Sequence, residues 1–236
     1  NRELDTCLKR FLSKPAHIPE PTLKPLMASC DHLLLFTRYP EPGHTKTRLI
    51  PELGAVGAAR LQGLLTEKIA GQAKNLADKH GITIIVHYSG GNREEMSSWL
   101  GPMIYEPQVK GDLGLRMRAA FAQAFAGGAK KAVLIGSDIP DITATLLGEA
   151  FSALDGAEVV IGPSQDGGYY LIGMQAEAAS HLYPLLFDKM VWSTAEVFAE
   201  TTRRLVNAAI TPAVLATLRD IDTPEDLHYA RANGLL

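Results

Sequence analysis

Cysteine is scarce in this chain. Cys7 and Cys30 are the only two among 236 residues. Two thiols at that spacing build neither a disulfide framework nor a zinc site, so reduced thiols in a cytoplasmic setting are expected. A basic excess is missing as well. The formal net charge is −3 at pH 7, whereas nucleic-acid binders usually carry a strongly basic face, so no nucleic-acid partner is expected. No apolar run approaches the roughly 20 residues that a spanning helix needs, so no membrane partner is expected, and no signal-peptide pattern is legible. The sequence also lacks a G-x-S-x-G nucleophile elbow, a G-x-G-x-x-G opening a helix after a strand, and a complete P-loop. Gly43-His44-Thr45-Lys46-Thr47 matches only the tail of that last motif. The histidines, including His44, show no metal-ligand spacing.

What is present is the alternation of an α/β protein. Apolar residues make up 46% and charged residues 21%, an ordinary globular balance, and the length suits one α/β domain with a sizeable core. Residues 1–29 read as an N-terminal arm. Leu4, Leu8, Phe11 and Leu12 have helical spacing, and Pro15, Pro19, Pro21 and Pro25 then impose an extended connector. It reads as a loosely packed arm, with a homodimer contact as its alternative use. Residues 30–236 read as a single domain. Leu33-Leu34-Leu35-Phe36 is a buried strand. A long helix is expected over 55–80, with Leu61, Leu64, Leu65, Ile69 and Leu76 as its apolar stripe and Gly81 as its stop. Further strands are expected at 82–88, 103–106, 132–136, 159–162, 169–173 and 213–215. Helices fall between them, one of them N-capped by Asp112. Asp141 sits where a cap for the helix over 143–154 belongs. The pattern loosens over 174–190. Ser193 and Glu196 fit a capping box for the next helix, and Thr223 with Pro224 marks the start of the last one. Strands alternating with helices give an α/β class with a largely parallel sheet.

The residues able to carry chemistry gather at strand ends. Lys46 and Arg48 follow the first core strand on a loop stiffened by Pro40 and Pro42 and turned by Gly43. Arg forks two phosphate oxygens and Lys acts as a point charge, so the pair suits a polyphosphate. A solvated basic loop is the plain alternative, but open α/β sheets bind ligands at the carboxyl ends of their strands. Asp138 follows the strand at 132–136 directly. It reads as a ligand for a divalent metal bridging phosphate oxygens, with a turn acid before Pro140 as the other reading. Asp220 and Asp222 repeat the arrangement near the C-terminus. Asp222 is the preferred second metal acid, and Asp220 could simply pair with Arg219. In Asp166-Gly167-Gly168-Tyr169-Tyr170 the glycines let a backbone approach a ligand closely. There Asp166 could orient an acceptor hydroxyl or act as general base, one tyrosine could line a pocket, and a plain hairpin is the alternative.

Six segments in order, RYPEPGHTKTRL, GDLGLRMRAAFAQA, VLIGSDIPD, GPSQDGGYYLIG, WST and LRDIDTPEDL, resemble a bacterial family of GT-A-like transferases. These are the radical-SAM/selenodomain-associated transferases, some of them arsenosugar-type glycosyltransferases. The resemblance runs over about 33–227. It implies a nucleotide-diphospho-sugar transferase fold, a three-layer α/β/α sandwich with a mostly parallel sheet. It also implies a nucleotide-sugar donor, a small-molecule acceptor and Mg²⁺ or Mn²⁺. Arg38, Lys46 and Arg48, with Gly43 in their loop, would meet the nucleotide phosphates. Asp138 and Asp222 would hold the metal. Asp138 and Asp166 would be the catalytic acids, with Gly167, Gly168 and Tyr169 on the substrate. A conventional glycosyltransferase metal motif is Asp-x-Asp, whereas here it reads Ser137-Asp138-Ile139-Pro140-Asp141. The segment Lys46-Thr47-Arg48-Leu49 is also similar to guanylyltransferases of deazaflavin-cofactor synthesis. That likeness implies the alternative, a nucleotidyltransferase taking a nucleoside triphosphate. A nucleotide-binding module with little catalysis is the third reading.

Overall fold

The computed structural model describes residues 31–235; the arm at 1–29, Cys7 and Cys30 lie outside them. Among the described residues seven strands form one sheet in the order β3-β2-β1-β4-β6-β5-β7. They are β1 Asp31–Arg38, β2 Thr83–Ser89, β3 Ile104–Pro107, β4 Lys131–Ile135, β5 Val159–Pro163, β6 Tyr169–Gln175 and β7 Ala213–Val214. Strands β1 to β4 pair in parallel. β6 runs antiparallel to both β4 and β5, because the turn joining β5 to β6 is too short for a crossover.

The helices cover both faces, completing a three-layer α/β/α sandwich with a mostly parallel sheet. They are α1 Ile50–His80, α2 Arg93–Leu100, α3 Leu113–Ala126, α4 Ala144–Ala153, α5 Ala179–Leu186, α6 Val197–Asn207 and α7 Pro224–Ala232. The two-residue period of β1 divides the core. Leu33 and Leu35 enter a cluster with Ile69 and Leu76 of α1 and Leu147 of α4. Leu34 and Phe36 enter another with Phe121 of α3, Leu182 of α5 and Leu205 of α6. Leu33, Leu34 and Leu35 are fully buried, each worth about 1.5–3 kcal/mol over exposure. A third cluster joins Leu49, Leu61 and Leu65 to Ile221, Leu227 and Ala230.

Several local expectations are corrected. The long helix begins at Ile50 and not at residue 55, with Gly54 at φ 70°, ψ 164° interrupting it after the first turn. Leu64 is 51% exposed; the buried face runs through Ala58, Leu61, Leu65, Ile69, Ala73 and Leu76, which leaves residue 64 on the flank of a 3.6-residue repeat. Thr143, not Asp141, caps α4, accepting from the Leu146 amide. The loose stretch over 174–190 holds α5, which has no side-chain cap and carries Pro184 inside it, so neither start signal nor helix propensity marked it. The capping box of Ser193 and Glu196 does not form. Ser193 turns left-handed at φ 63°, and α6 starts at Val197 without a side-chain cap. Asp112 and Thr223 cap α3 and α7 as expected.

Candidate active site

The site lies along the carboxyl ends of β1 and β4, where the parallel strands open into loops. The loop after β1 brings Lys46 in a left-handed conformation, φ 47°, onto the 3-10 turn Thr47–Leu49. The segment after β7 is led to the same edge by backbone bonds along β5. The Leu218 amide donates to Pro163 O at 3.1 Å, and the Gln165 amide to Leu218 O at 2.9 Å. The Ile221 amide then donates to Asp138 O at 3.0 Å, setting 220–222 beside the loop after β4.

These loops converge on one ammonium. Lys46 Nζ lies 2.5 Å from Asp138 Oδ1 and 3.1 Å from Asp222 Oδ1, and it donates to Ile221 O at 2.6 Å. The lysine side chain is 2% exposed while the two carboxylates are nearly half exposed. Burial alone would lower the Lys46 pKa, but the charges of Asp138 and Asp222 and their hydrogen bonds outweigh it and raise it above its usual value. Arg48, 73% exposed, stands 3.6 Å from the other oxygen of Asp222. Arg38 is exposed and donates one Nη1 bond to His44 O at 2.9 Å. Gly43, at φ 84°, makes the turn between these cations.

Under the loops lies a closed polar floor that no motif announced. Ser137 Oγ donates to Thr37 Oγ1 at 3.0 Å, Thr37 meets Thr66 Oγ1 at 3.0 Å, and Gln62 Nε2 reaches both Thr66 and Ser137 at 3.1 Å. All four are buried, so each hydroxyl is satisfied inside the protein and the ends of β1 and β4 are locked together through α1. Gln108 and Arg116 are further cleft residues that sequence reasoning missed. Gln108 donates to Thr37 O and His87 O and accepts from Arg116 Nη1 at 3.1 Å.

The cleft has two continuous halves. One, of about 500 Å³, takes in Arg38, Lys46, Arg48, Gln108 and Arg116. The other, of about 460 Å³, takes in Asp166, Gly168, Tyr169, Trp192, Asp220 and Thr194. Asp138 and Asp222 belong to both. In the second half Asp166 Oδ1 accepts from the Gly168 amide at 2.9 Å and from the Ser164 hydroxyl, which holds the turn closed. Gly167 has φ +88°, and a Cβ there would lie 2.0 Å from Ala195 O. The Phe198 amide donates to Gly167 O at 2.9 Å, so the stretch around Trp192 is fastened across this turn. Trp192 packs on α3, where a Cβ on Gly114 would come within 2.6 Å of the indole. Tyr169 and Trp192 meet edge to face, 6.4 Å between ring centres. Burial pushes the Tyr169 phenol well up, outweighing the opposing effect of Thr201, which it faces without closing a hydrogen bond. Burial also drives Tyr170 up to about 12, and its hydroxyl donates to Ala216 O at 3.0 Å. Both side chains line the two halves of the cleft.

Asp220 does not take Arg219 as its partner. Arg219 is bound to Asp226 at 2.8 Å and to Glu225 at 3.4 Å. Burial, then the Asp166 charge, raise the Asp220 pKa to about 6.

Residues 72–194 match the family model DUF2064, described as an uncharacterized protein conserved in bacteria. The chain belongs to that family. A crystal structure from Desulfovibrio desulfuricans G20, provisionally described as a nucleotide-diphospho-sugar transferase, is 33% identical to the DUF2064 chain. That match covers 87% of this chain and 88% of the other, with a TM-score of 0.75. The 4-diphosphocytidyl-2C-methyl-D-erythritol synthase of Anaerococcus prevotii DSM 20548 matches at 11% identity over 89% of this chain and 100% of the other, TM-score 0.60. The inositol-1-phosphate CTP transferase of T. maritima matches at 17% identity over 88% and 95%, TM-score 0.51. No curated protein matches. The chain thus has the nucleotide-diphospho-sugar transferase fold, shared with nucleotidyltransferases. Among the described residues no helix is long and apolar enough to cross a membrane.

Proposed function

We propose that this DUF2064 protein is a metal-dependent glycosyltransferase using a nucleotide-sugar donor, with 30–236 as its catalytic domain. The observation that carries the reading is the convergence of Asp138 and Asp222 on a single cation, the Lys46 ammonium, beside the outward guanidinium groups of Arg38 and Arg48. Mg²⁺ and Mn²⁺ favour oxygen ligands, and Mg²⁺ is content with one or two carboxylates when substrate phosphates and water complete its shell. The donor set fits that demand: two carboxylates that one cation already reaches together. Among the described residues no group of three or more His, Cys, Asp or Glu converges on a metal position, so phosphate oxygens would have to share in holding the ion. Asp138 and Asp222 would hold it, and it would supply neutralisation of the departing diphosphate.

The remaining residues position the substrates. Arg38 and Arg48 fork phosphate oxygens, Lys46 keeps a fixed positive charge beside them, and Gly43 lets their loop turn. The acceptor hydroxyl oxygen forms a bond to the anomeric carbon, and the bond from that carbon to the diphosphate breaks. The nucleoside diphosphate leaves with the electron pair, and the hydroxyl proton passes to a base. Asp166 orients that hydroxyl or takes its proton, with Gly167, Gly168 and Tyr169 shaping the acceptor side. The six ordered motifs support membership of the radical-SAM/selenodomain-associated transferases, with arsenosugar-type activity.

A thermal-shift panel of nucleoside triphosphates, diphosphates and nucleotide-sugars, each with and without Mg²⁺ or Mn²⁺, tests the reading. A ligand at a hundred times its dissociation constant adds about 2.7 kcal/mol. Metal-dependent stabilisation by one nucleotide-sugar beyond its diphosphate is expected. The shared fold of nucleotidyltransferases along nearly the whole chain supports a second reading, transfer of a nucleoside monophosphate to a phosphorylated acceptor. Stabilisation by one triphosphate with nucleotide-sugars inert, and release of pyrophosphate, would establish it instead.

A further inference from the structure

The two halves of the cleft differ in charge. Arg38, Lys46, Arg48 and Arg116 are all in the wall of the first, against Asp138 and Asp222. The charged groups of the second are Asp138, Asp166, Asp220 and Asp222 against Arg48 alone. Asp222 shares its charge with Lys46 and with Arg48, and Asp138 is paired with the same ammonium. Asp166 and Asp220 line this half and not the first. Asp166 takes amide and hydroxyl donors within its own turn on Oδ1, which leaves its negative charge in place and Oδ2 for a ligand hydroxyl. An anion entering here meets like charge on its approach and finds no further cation among these wall residues. The uncharged part of the wall is of another kind: the rings of Tyr169 and Trp192 with the hydroxyls of Ser164, Ser193 and Thr194. Carboxylates accept from hydroxyl donors, and an aromatic face covers the C–H face of a ring or chain.

We propose that the acceptor bound in this second half is a hydroxyl-rich sugar or polyol carrying no phosphate or carboxylate, its hydroxyls donated to Asp166 and Asp220 and its carbon face laid on Trp192. The inference rests on the transferase reading for the word acceptor, and it narrows that reading, since a phosphorylated acceptor belongs to the nucleotidyltransferase alternative. The same charge pattern makes an amino sugar a stronger ligand than its neutral parent. Arg48, at the border of both halves, meets the donor phosphates.

The test separates ligand class from turnover. Saturation-transfer NMR on the full chain compares glucose with glucose 6-phosphate, glycerol with glycerol 3-phosphate, and glucosamine with glucose. The neutral member of each phosphate pair is expected to bind at least tenfold tighter than its ester, and glucosamine tighter than glucose. Trp192→Phe keeps an aromatic wall and is expected to retain the signal, whereas Trp192→Ala removes it. Asp220→Asn keeps the shape, removes one negative charge, and is expected to narrow the neutral-to-phosphate gap. Esters binding as well as or better than their parents would overturn the proposal, as would binding insensitive to both Trp192→Ala and Asp220→Asn, or no binding by any neutral member. Failure of the donor reading shows separately, as a thermal-shift panel without any nucleotide-sugar response while the sugar preference persists.

Discussion

Lys46 and Asp222 are 176 positions apart in the chain and 3.1 Å apart in space. The ammonium that makes this contact also reaches Asp138, so a buried cation sits between two half-exposed carboxylates at the heart of the cleft. A buried charge is tolerated when opposite charges and hydrogen bonds surround it, and this one has all three of its donors occupied.

Replacing Lys46 by Met leaves Asp138 and Asp222 facing each other without their shared counter-charge. Because both acids are partly hydrated, the loss is set at about 1–2 kcal/mol at pH 7, below the range for fully buried pairs. The raised Lys46 pKa means the wild-type stabilisation is complete below the unfolded lysine value and fades as the pH climbs through the folded one. Urea unfolding of both proteins at pH 7, pH 9 and pH 11.5 reads that trend: the gap between them holds at the first two and narrows at the last.

Asp138→Ala removes an acid that is 45% exposed in its side chain and lies outside the apolar clusters. We expect an unfolding midpoint within a few degrees of wild type, together with at least a hundredfold loss of turnover and loss of the metal-dependent nucleotide shift. Full activity in this variant would remove the metal argument.

Asp220 should make the protein less stable on the alkaline side of its titration. Its folded pKa, raised to about 6, exceeds the unfolded value. The protonated form is therefore favoured in the folded state, and stability declines as the pH rises from about 4 to above 6. Asp220→Asn abolishes that decline. After discounting for solvent screening, the variant is expected to gain about 1 kcal/mol on wild type between pH 4 and pH 7.5. Parallel unfolding curves at the two pH values, with no difference between the proteins, would contradict the assignment.

Gly167→Ala tests the fastening of the turn. The residue needs φ +88°, and its added methyl would collide with the Ala195 carbonyl at 2.0 Å. We expect a loss of at least 2 kcal/mol and faster hydrogen exchange at the Phe198 amide, which donates to Gly167. A substitution at Gly156, where a Cβ would meet nothing within 4 Å, serves as the control.

Local signals were legible wherever a short rule governs them. The apolar run at 33–36, the caps Asp112 and Thr223 and the stop at Gly81 each follow from side chains within a few residues. So did the placing of Lys46, Asp138 and Asp222 at strand ends. What escaped was decided at longer range. That Lys46 binds the two acids directly depends on backbone bonds linking Leu218 to Pro163 and Ile221 to Asp138, which leave no trace in local spacing. The buried hydroxyls of Thr37, Thr66 and Ser137 look like surface residues in the sequence, because Thr and Ser are usually exposed. Ser193 has the residue type of a cap, but the docking of 192–196 over Gly167 forces it left-handed. Helix α5 forms around Pro184 because tertiary burial of Leu182 and Leu186 outweighs weak propensity.

Ile221 joins two kinds of force. Its backbone amide and carbonyl hold Asp138 and Lys46, while its side chain, 2% exposed, is packed with Leu49, Leu61, Leu65 and Leu227. The alignment of the charged trio is therefore moored to an oily patch behind it, whose cohesion weakens on cooling. Shaving that patch, as in Ile221→Ala, should steepen the fall of turnover between 25 °C and 5 °C, and an unchanged temperature profile would refute the coupling. Cold tolerance in this protein would then be written in its hydrocarbon, several bonds behind the charged groups of the cleft.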